Sequence, residues 1–455
     1  MEILGPIISL LFLVVVARLL LKKVYPHAVL LAAGLLMLAL AFFLKFEMPG
    51  LEDPTGFKGF DLFRYIKESF SKIDAGVGLM IMAIGGFVAY IDHIGASTRL
   101  VNAAMKPLSV LKKHPHITAV CVIPIGQILF ICIPSAAGLS LLLMASVFPI
   151  LIGLGVSRLS AVSVITACTA FGIGPASAIT ASATSISGVD TILYFLNDQL
   201  PLIIPLNITL MVAYYFVNKH FDKKDNAQEK LETKPLSEAK AMGPVHYILI
   251  PVFPLILLIV FSDLFSFFPE PIVLDTTTAM LISLFVALLF EWIRLKSLSK
   301  VMLSLKVFWN GMGEIFKTVV TLIIAADIFA KGLIALGFVE GLIAMSQSLG
   351  FGYVGIGIVM TVMIFLSSMM MGSGNASFFA FGPLVPDIAA KLGVKSASIL
   401  LPMNLAASMG RTVSPVAGVI IAASAIAGVS ALALVKRNLI PLCAGLVVLL
   451  ISHFI

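Results

Sequence analysis

Charge is scarce in this sequence: Asp, Glu, Lys and Arg make up 12% of its 455 residues, about half the share of a water-soluble globule. With 60% of residues hydrophobic, that scarcity excludes a soluble domain and leaves a polytopic membrane protein. Cysteine is rarer still. Cys121, Cys132, Cys168 and Cys443 lie in apolar runs without metal-ligand spacing, so they read as buried thiols, and no disulfide framework, metal site or cofactor is expected. Long polar stretches are missing except between Asn218 and Gly243. The net charge of +7 gathers into no basic patch, which removes nucleic acid as a partner. The cations instead follow alternate apolar runs, as the positive-inside rule requires. The first run leads through Lys22-Lys23 straight into a second, with no small-residue cleavage site, and reads as a span rather than a signal peptide.

What is present is a series of apolar runs of bilayer length. Spans are expected near residues 4–21, 27–44 and 73–90, with an external loop at 46–72 and a basic interfacial stretch carrying Arg99, Lys106, Lys112 and Lys113. Residues 118–152 form two short runs around Ile133-Pro134-Ser135-Ala136-Ala137-Gly138, the pattern of a re-entrant hairpin. A span over 158–187 is broken at Gly172-Ile173-Gly174-Pro175, and one at 200–217 closes the first half, residues 1–217. The polar stretch 218–243 is a cytoplasmic linker. Residues 244–455 repeat the order: spans at 245–261 and 276–292 around an outer loop with Asp263, Glu270 and Asp275, then a span at 311–334. A hairpin over 352–392 follows, then a span over 396–435 broken at Met409 to Pro415, then Lys436-Arg437 and a last span at 439–455.

Sliding the chain on itself until Ser135 falls on Ser373 also sets Ser160 on Ser398 and Gly172 on Gly410. Each half then holds five spans and one hairpin. An odd number of crossings inverts the second half, so the expected fold is an all-α polytopic membrane protein of two inverted-topology repeats, with both termini periplasmic. Paired hairpins suit alternating access better than a channel.

Arg411 is the only charged residue in the two hairpin and two broken-helix motifs. A guanidinium at membrane depth needs a partner, and its planar fork suits a carboxylate or phosphate. Three readings stay open: Arg411 binds an anionic substrate, it snorkels to a surface, or it makes a structural bond to free carbonyls. Asn375, Asn404, Ser373, Ser377, Thr412 and Ser414 can donate further hydrogen bonds, and the first half offers Ser135, Thr166, Thr169, Gly172, Gly174 and Ser177. Glycine and serine also serve plain helix packing in membranes. Asp327 and Lys331, four residues apart, read as a self-neutralising pair, with proton coupling at Asp327 as the alternative. Glu314 and Lys317 read as a solvated pair. A serine hydrolase built on Ser373 lacks a base, since none of the seven histidines falls in these motifs.

At Gly372-Ser373-Gly374-Asn375-Ala376-Ser377-Phe378-Phe379 and from Asn404 to Pro415 the chain resembles the DcuC family of anaerobic C4-dicarboxylate carriers. Ile133 to Gly138 and Phe171 to Ser177 are similar to that family too, so the resemblance spans nearly the full length. It implies an inner-membrane carrier of succinate, fumarate and malate, a homodimer, and an elevator-like motion of a domain carrying both hairpins. The ligand residues it implies are Ser135, Ser373, Gly374 and Asn375 at the tips, Gly172 to Ser177, and Gly410 to Ser414. The tips Ser373-Gly374-Asn375 and Ser135-Ala136-Ala137 depart from the paired Ser-Asn-Thr of sodium-coupled relatives, so proton coupling or exchange is expected. Relatives with similar motifs carry basic amino acids, for which an unpaired acid in place of Arg411 is expected.

Overall fold

A backbone in hydrocarbon must satisfy its own hydrogen bonds, and this chain does so with helices alone among the described residues. The structure is a computed structural model that describes residues 4–22, 24–107, 114–224, 243–262, 272, 274–348 and 352–454. Among them, nine helices are long and apolar enough to cross a membrane. Lys23, Lys112, Lys113, Asp263, Glu270 and most of the linker lie outside the described residues.

The two halves present their elements in the same order. The first runs Leu4–Leu21, Pro26–Phe43, a long helix Lys58–His93 with a π turn at Asp74–Gly78, and a short helix Ala96–Met105. A hairpin follows (Pro115–Cys132, Ala136–Ser146, Phe148–Gly153), then a broken span (Arg158–Ala167, Ala178–Ser187) and a helix Leu200–Lys224. The second runs Phe253–Val260, Thr276–Leu295, a long helix Leu298–Ala335 with a π turn at Phe316–Val320, and Phe338–Ser348. Its hairpin (Tyr353–Met371, Gly374–Phe381, Val385–Leu392) leads to a broken span (Ser396–Thr412, Gly418–Ala427) and a last helix Ala431–Phe454.

Several expectations need correction. The external loop at 46–72 is largely the helix Lys58–Ile73; its charges occupy one face while Tyr65 and Ser69 are buried, so it reads as a loop although Glu68 and Lys72 pair at 2.9 Å. The span at 245–261 is a 3-10 turn, Val245–Leu249, and a short helix, because Pro251 and Pro254 deny it continuous bonding. Helix Ser396–Thr412 runs through Met409, Gly410 and Arg411, and the interruption falls at 413–417, where Pro415 sits. Lys436 and Arg437 lie inside the last helix, and Arg437 is buried in an ion pair with Asp222 at 2.9 Å. Of the four thiols only Cys168 is buried; Cys443 is exposed.

Helices of opposite halves pack on each other. Pro26–Phe43 lies against Thr321–Ala335, with Gly34 so close to Ile328 that a Cβ would stand 2.6 Å from its backbone. Leu79–His93 likewise lies on Leu298–Ile315, where Gly86 faces Met312 and Phe308. The closing helices run antiparallel: Asp222 meets Arg437, Tyr214 meets Asn438, and Leu210 meets Gly445. Each hairpin packs on the broken span of its own half, the second so tightly that a Cβ on Gly410 would sit 2.2 Å from the Phe365 carbonyl.

Candidate substrate site

Both hairpin tips use one device. Helix Tyr353–Met371 stops at Gly372, whose φ of +71° suits glycine, and Ser373 then caps Gly374–Phe381 by accepting from the Ala376 N–H at 3.2 Å. In the first half Pro134 cannot extend the preceding helix, and Ser135 caps Ala136–Ser146 by accepting from the Gly138 N–H at 3.1 Å. Cap and capped residue correspond between the halves in a single register, Ser135 with Ser373 and Gly138 with Ala376. The hairpins also end alike: the Val156 N–H donates to Leu151 and the Val394 N–H to Ala389, both at 3.0 Å.

The tips meet at a cavity of about 350 Å³, within the usual range for small-molecule sites. Ser135 and Gly138 line it from the first tip, Asn375 from the second, and Ala176 and Ala178 from the first broken span. The N-terminal ends of three helices, Ala136–Ser146, Ala178–Ser187 and Gly374–Phe381, therefore face one space. Each carries partial positive charge and N–H groups without an intrahelical acceptor, and Ala178–Ser187 has no side-chain cap at all. That arrangement is suited to an anion. The opposite wall, from helices Leu79–His93 and Leu298–Ile315, includes Asp92 and Glu314.

Behind the cavity the unwound segment at 168–177 is held by side chains. The Gly172 carbonyl accepts from Asn404 Nδ2 at 2.9 Å, Ser177 Oγ at 3.2 Å and Thr180 Oγ1 at 3.3 Å. The Gly174 N–H donates to Gln199 Oε1 at 2.9 Å, and Gln199 Nε2 donates to Asn404 Oδ1 at 2.8 Å. In the second half Thr412 Oγ1 donates to the Ser408 carbonyl, the Thr412 carbonyl accepts from Asn438 Nδ2, and Ser414 Oγ accepts from the Val416 N–H. Ser377 Oγ is spent on the Ser373 carbonyl, and Gly374 packs against Ala407. Arg411 reaches across the halves: its Nη2 donates to the Thr169 carbonyl at 2.5 Å, its guanidinium lies over the Phe130 ring, and its Nε is buried without an acceptor.

Sequence comparison agrees with this architecture. Residues 4–455 match the family described as C4-dicarboxylate anaerobic carrier. A Vibrio cholerae protein named "Probable anaerobic C4-dicarboxylate transporter DcuC" is 34% identical over 436 residues, 95% of this chain and 94% of that protein. The Escherichia coli K12 protein named "Anaerobic C4-dicarboxylate transporter DcuC" is 31% identical over 447 residues, 98% and 95% of the two chains. This chain belongs to the DcuC family. The fold is also that of solved membrane transporters: YdaH of Alcanivorax borkumensis superposes with a TM-score of 0.61 at 14% identity, covering 94% of this chain and 98% of that one. MtrF of Neisseria gonorrhoeae gives 0.55 at 13% identity, covering 95% and 96%.

In this DcuC-family chain the expected site residues fall into three groups. Ser135 and Asn375 line the cavity. Gly172, Gly174, Ser177 and Asn404 form the buried network behind it, and Thr169 holds Arg411. Ser373, Gly374, Ser377, Gly410, Thr412 and Ser414 shape the second tip and its broken helix. Arg411 does not line the cavity, and Asp327 is elsewhere, accepting from Lys331 Nζ at 2.7 Å and Ser69 Oγ at 2.5 Å. Glu314 and Lys317 are exposed and 3.9 Å apart. Gln199, Thr180 and Asn438 belong to these buried networks, and reading the sequence missed them. The register of the halves sets Gln199 on Arg437, next to Asn438, and that coincidence of polar side chains in two apolar closing runs is the signal that could have found the two amides. The family is one of carriers, so the hydrolase alternative falls away.

Proposed function

We propose that this chain is a secondary active carrier of C4-dicarboxylates, of the class of succinate, fumarate and malate, in a bacterial inner membrane. The observation that carries this reading is the meeting of three helix N-termini at one cavity between the hairpin tips. A four-carbon diacid has an anionic group at each end, and each half of the chain offers at least one positive helix end. Ser135 and Asn375 supply hydrogen bonds, and Arg411, which does not line the cavity, adds a fixed positive charge from behind the first broken span. The names of the relatives support the substrate class.

In this reading the halves are inverted repeats, which the matched caps and antiparallel closing helices support. Both termini face the periplasm, and the chain works as a homodimer. The cavity lies where hairpins meet the paired long helices, so the hairpin domain slides past that wall in an elevator-like motion. Coupling is by protons or by exchange, and the coupling acid is sought first at Asp92 and Glu314, which line the cavity, ahead of Asp327. Proteoliposomes loaded with fumarate are expected to take up labelled succinate faster than empty ones. Absence of any dicarboxylate flux in protein that is folded and inserted overturns the assignment.

A further inference from the structure

Two buried amides, Gln199 and Asn438, occupy equivalent places, each on the helical run that closes its half, and they match to within one position in the register that sets Ser135 on Ser373. Both are fully buried. Gln199 accepts from the Gly174 N–H of its own half at 2.9 Å, and its Nε2 donates to Asn404 Oδ1 of the other half at 2.8 Å and to Thr180 Oγ1 at 2.9 Å. Asn438 donates to the Thr412 carbonyl of its own half at 3.0 Å and to Thr166 Oγ1 of the other half at 3.1 Å, while its Oδ1 accepts from the Tyr214 hydroxyl. Thr166 and Asn404 fall on each other in that same register. Each amide thus bonds backbone at its own half's break and a side chain on the opposite half's broken span.

An unwound segment at membrane depth persists only where protein satisfies its backbone. Gln199 does this for Gly174, two residues before Ala176 and four before Ala178, both of which line the cavity. The geometry points to Gln199 and Asn438 as paired positioning residues: they set the N-terminal ends of helices Ala178–Ser187 and Gly418–Ala427 and lock the two breaks into one unit. They touch no substrate and act through the breaks. This assignment rests on the dicarboxylate-carrier reading for its effect on transport but not for its effect on the backbone.

The test is Gln199→Leu in the full-length protein, with two readouts. Succinate uptake is expected to show KM raised about tenfold or more with maximal rate within about twofold, since a displaced helix end weakens binding, whereas simple loss of folded protein lowers the rate and leaves KM alone. Hydrogen exchange is expected to show lost protection at 168–177 and unchanged protection at 321–335. Native KM, or native protection at 168–177, overturns the proposal. If the native protein moves no dicarboxylate, the carrier reading fails while the exchange readout still decides the clamp. If Gln199→Leu does not fold, Gln199→Asn keeps the amide but withdraws it by one methylene from Gly174 and Asn404 while leaving the Thr180 bond to Gly172 in place; a KM raised about two- to fivefold sustains the proposal, and an unchanged KM with unchanged exchange overturns it. Asn438→Leu is expected to act likewise, with protection lost at 413–417.

Discussion

Arg411→Ala and Arg411→Lys separate the two roles open to this guanidinium. Its Nη2 holds the Thr169 carbonyl at 2.5 Å in a fully buried part of the unwound segment. If that is all it does, removal leaves one buried carbonyl unsatisfied, a stability loss of about 1–3 kcal/mol that is blind to substrate. Succinate KM would then stay within about twofold. Arg411 also holds a full positive charge behind the first broken span, close to the cavity but not lining it, which argues for more. A fixed charge about 10 Å from a carboxylate at an effective dielectric of about 20 contributes about 1.5 kcal/mol, which is about tenfold in affinity. We expect Arg411→Ala to raise KM by about that factor and Arg411→Lys, which keeps the charge, to recover most of it. Initial uptake rates over a range of succinate concentrations measure the effect, and thermal unfolding of the same preparations reports stability. Arg411→Ala with native KM refutes the electrostatic role; Arg411→Lys as weak as Arg411→Ala refutes charge as its cause.

Ser135→Ala and Ser373→Ala each remove a helix cap, worth about 0.5–2 kcal/mol, at a tip facing the cavity. Thermal unfolding should shift down modestly for both, and the double variant should transport more weakly than either alone. Arg437→Met strands the Asp222 carboxylate, although Ser157 and Ser160 still donate to it, and should destabilise by about 2–3 kcal/mol, toward the lower end for a broken buried pair. Arg437→Met with Asp222→Leu should unfold at a higher temperature than Arg437→Met alone, as read by thermal unfolding in detergent. Asp327→Asn combined with Lys331→Gln should leave the pH dependence of succinate uptake unchanged, because that pair sits away from the cavity; a shifted pH profile would move the coupling acid to Asp327.

The hairpin tips were legible because their signals are local. Pro134 or Gly372 ends one helix and a serine caps the next, and both act within four residues. The second break was misplaced because Met409-Gly410 looks like a breaker, whereas Gly410 is small to admit the Phe365 backbone; the helix yields only near Pro415. Helix Lys58–Ile73 was hidden by its own amphipathicity, which averages to the composition of a loop. Arg437 looked like a cytoplasmic marker because its partner, Asp222, is far away in sequence, on the closing helix of the other half. Gln199 and Asn438 were lost in the same way, each beside a charged neighbour at what looks like a membrane edge.

Those last two explain why the halves cannot be read as independent modules. A break in a membrane helix leaves N–H and C=O groups that neighbouring turns cannot reach, and the span of the same half that carries Gln199 or Asn438 supplies only part of the remedy. The amide must itself be fixed, and its partner, Asn404 or Thr166, comes from the equivalent position on the opposite half. A local defect in one half is thereby closed by the other, and the reverse holds through the second amide. Two breaks that share bonds in this way are held in one geometry relative to each other, and the elevator-like motion proposed above needs that coupling.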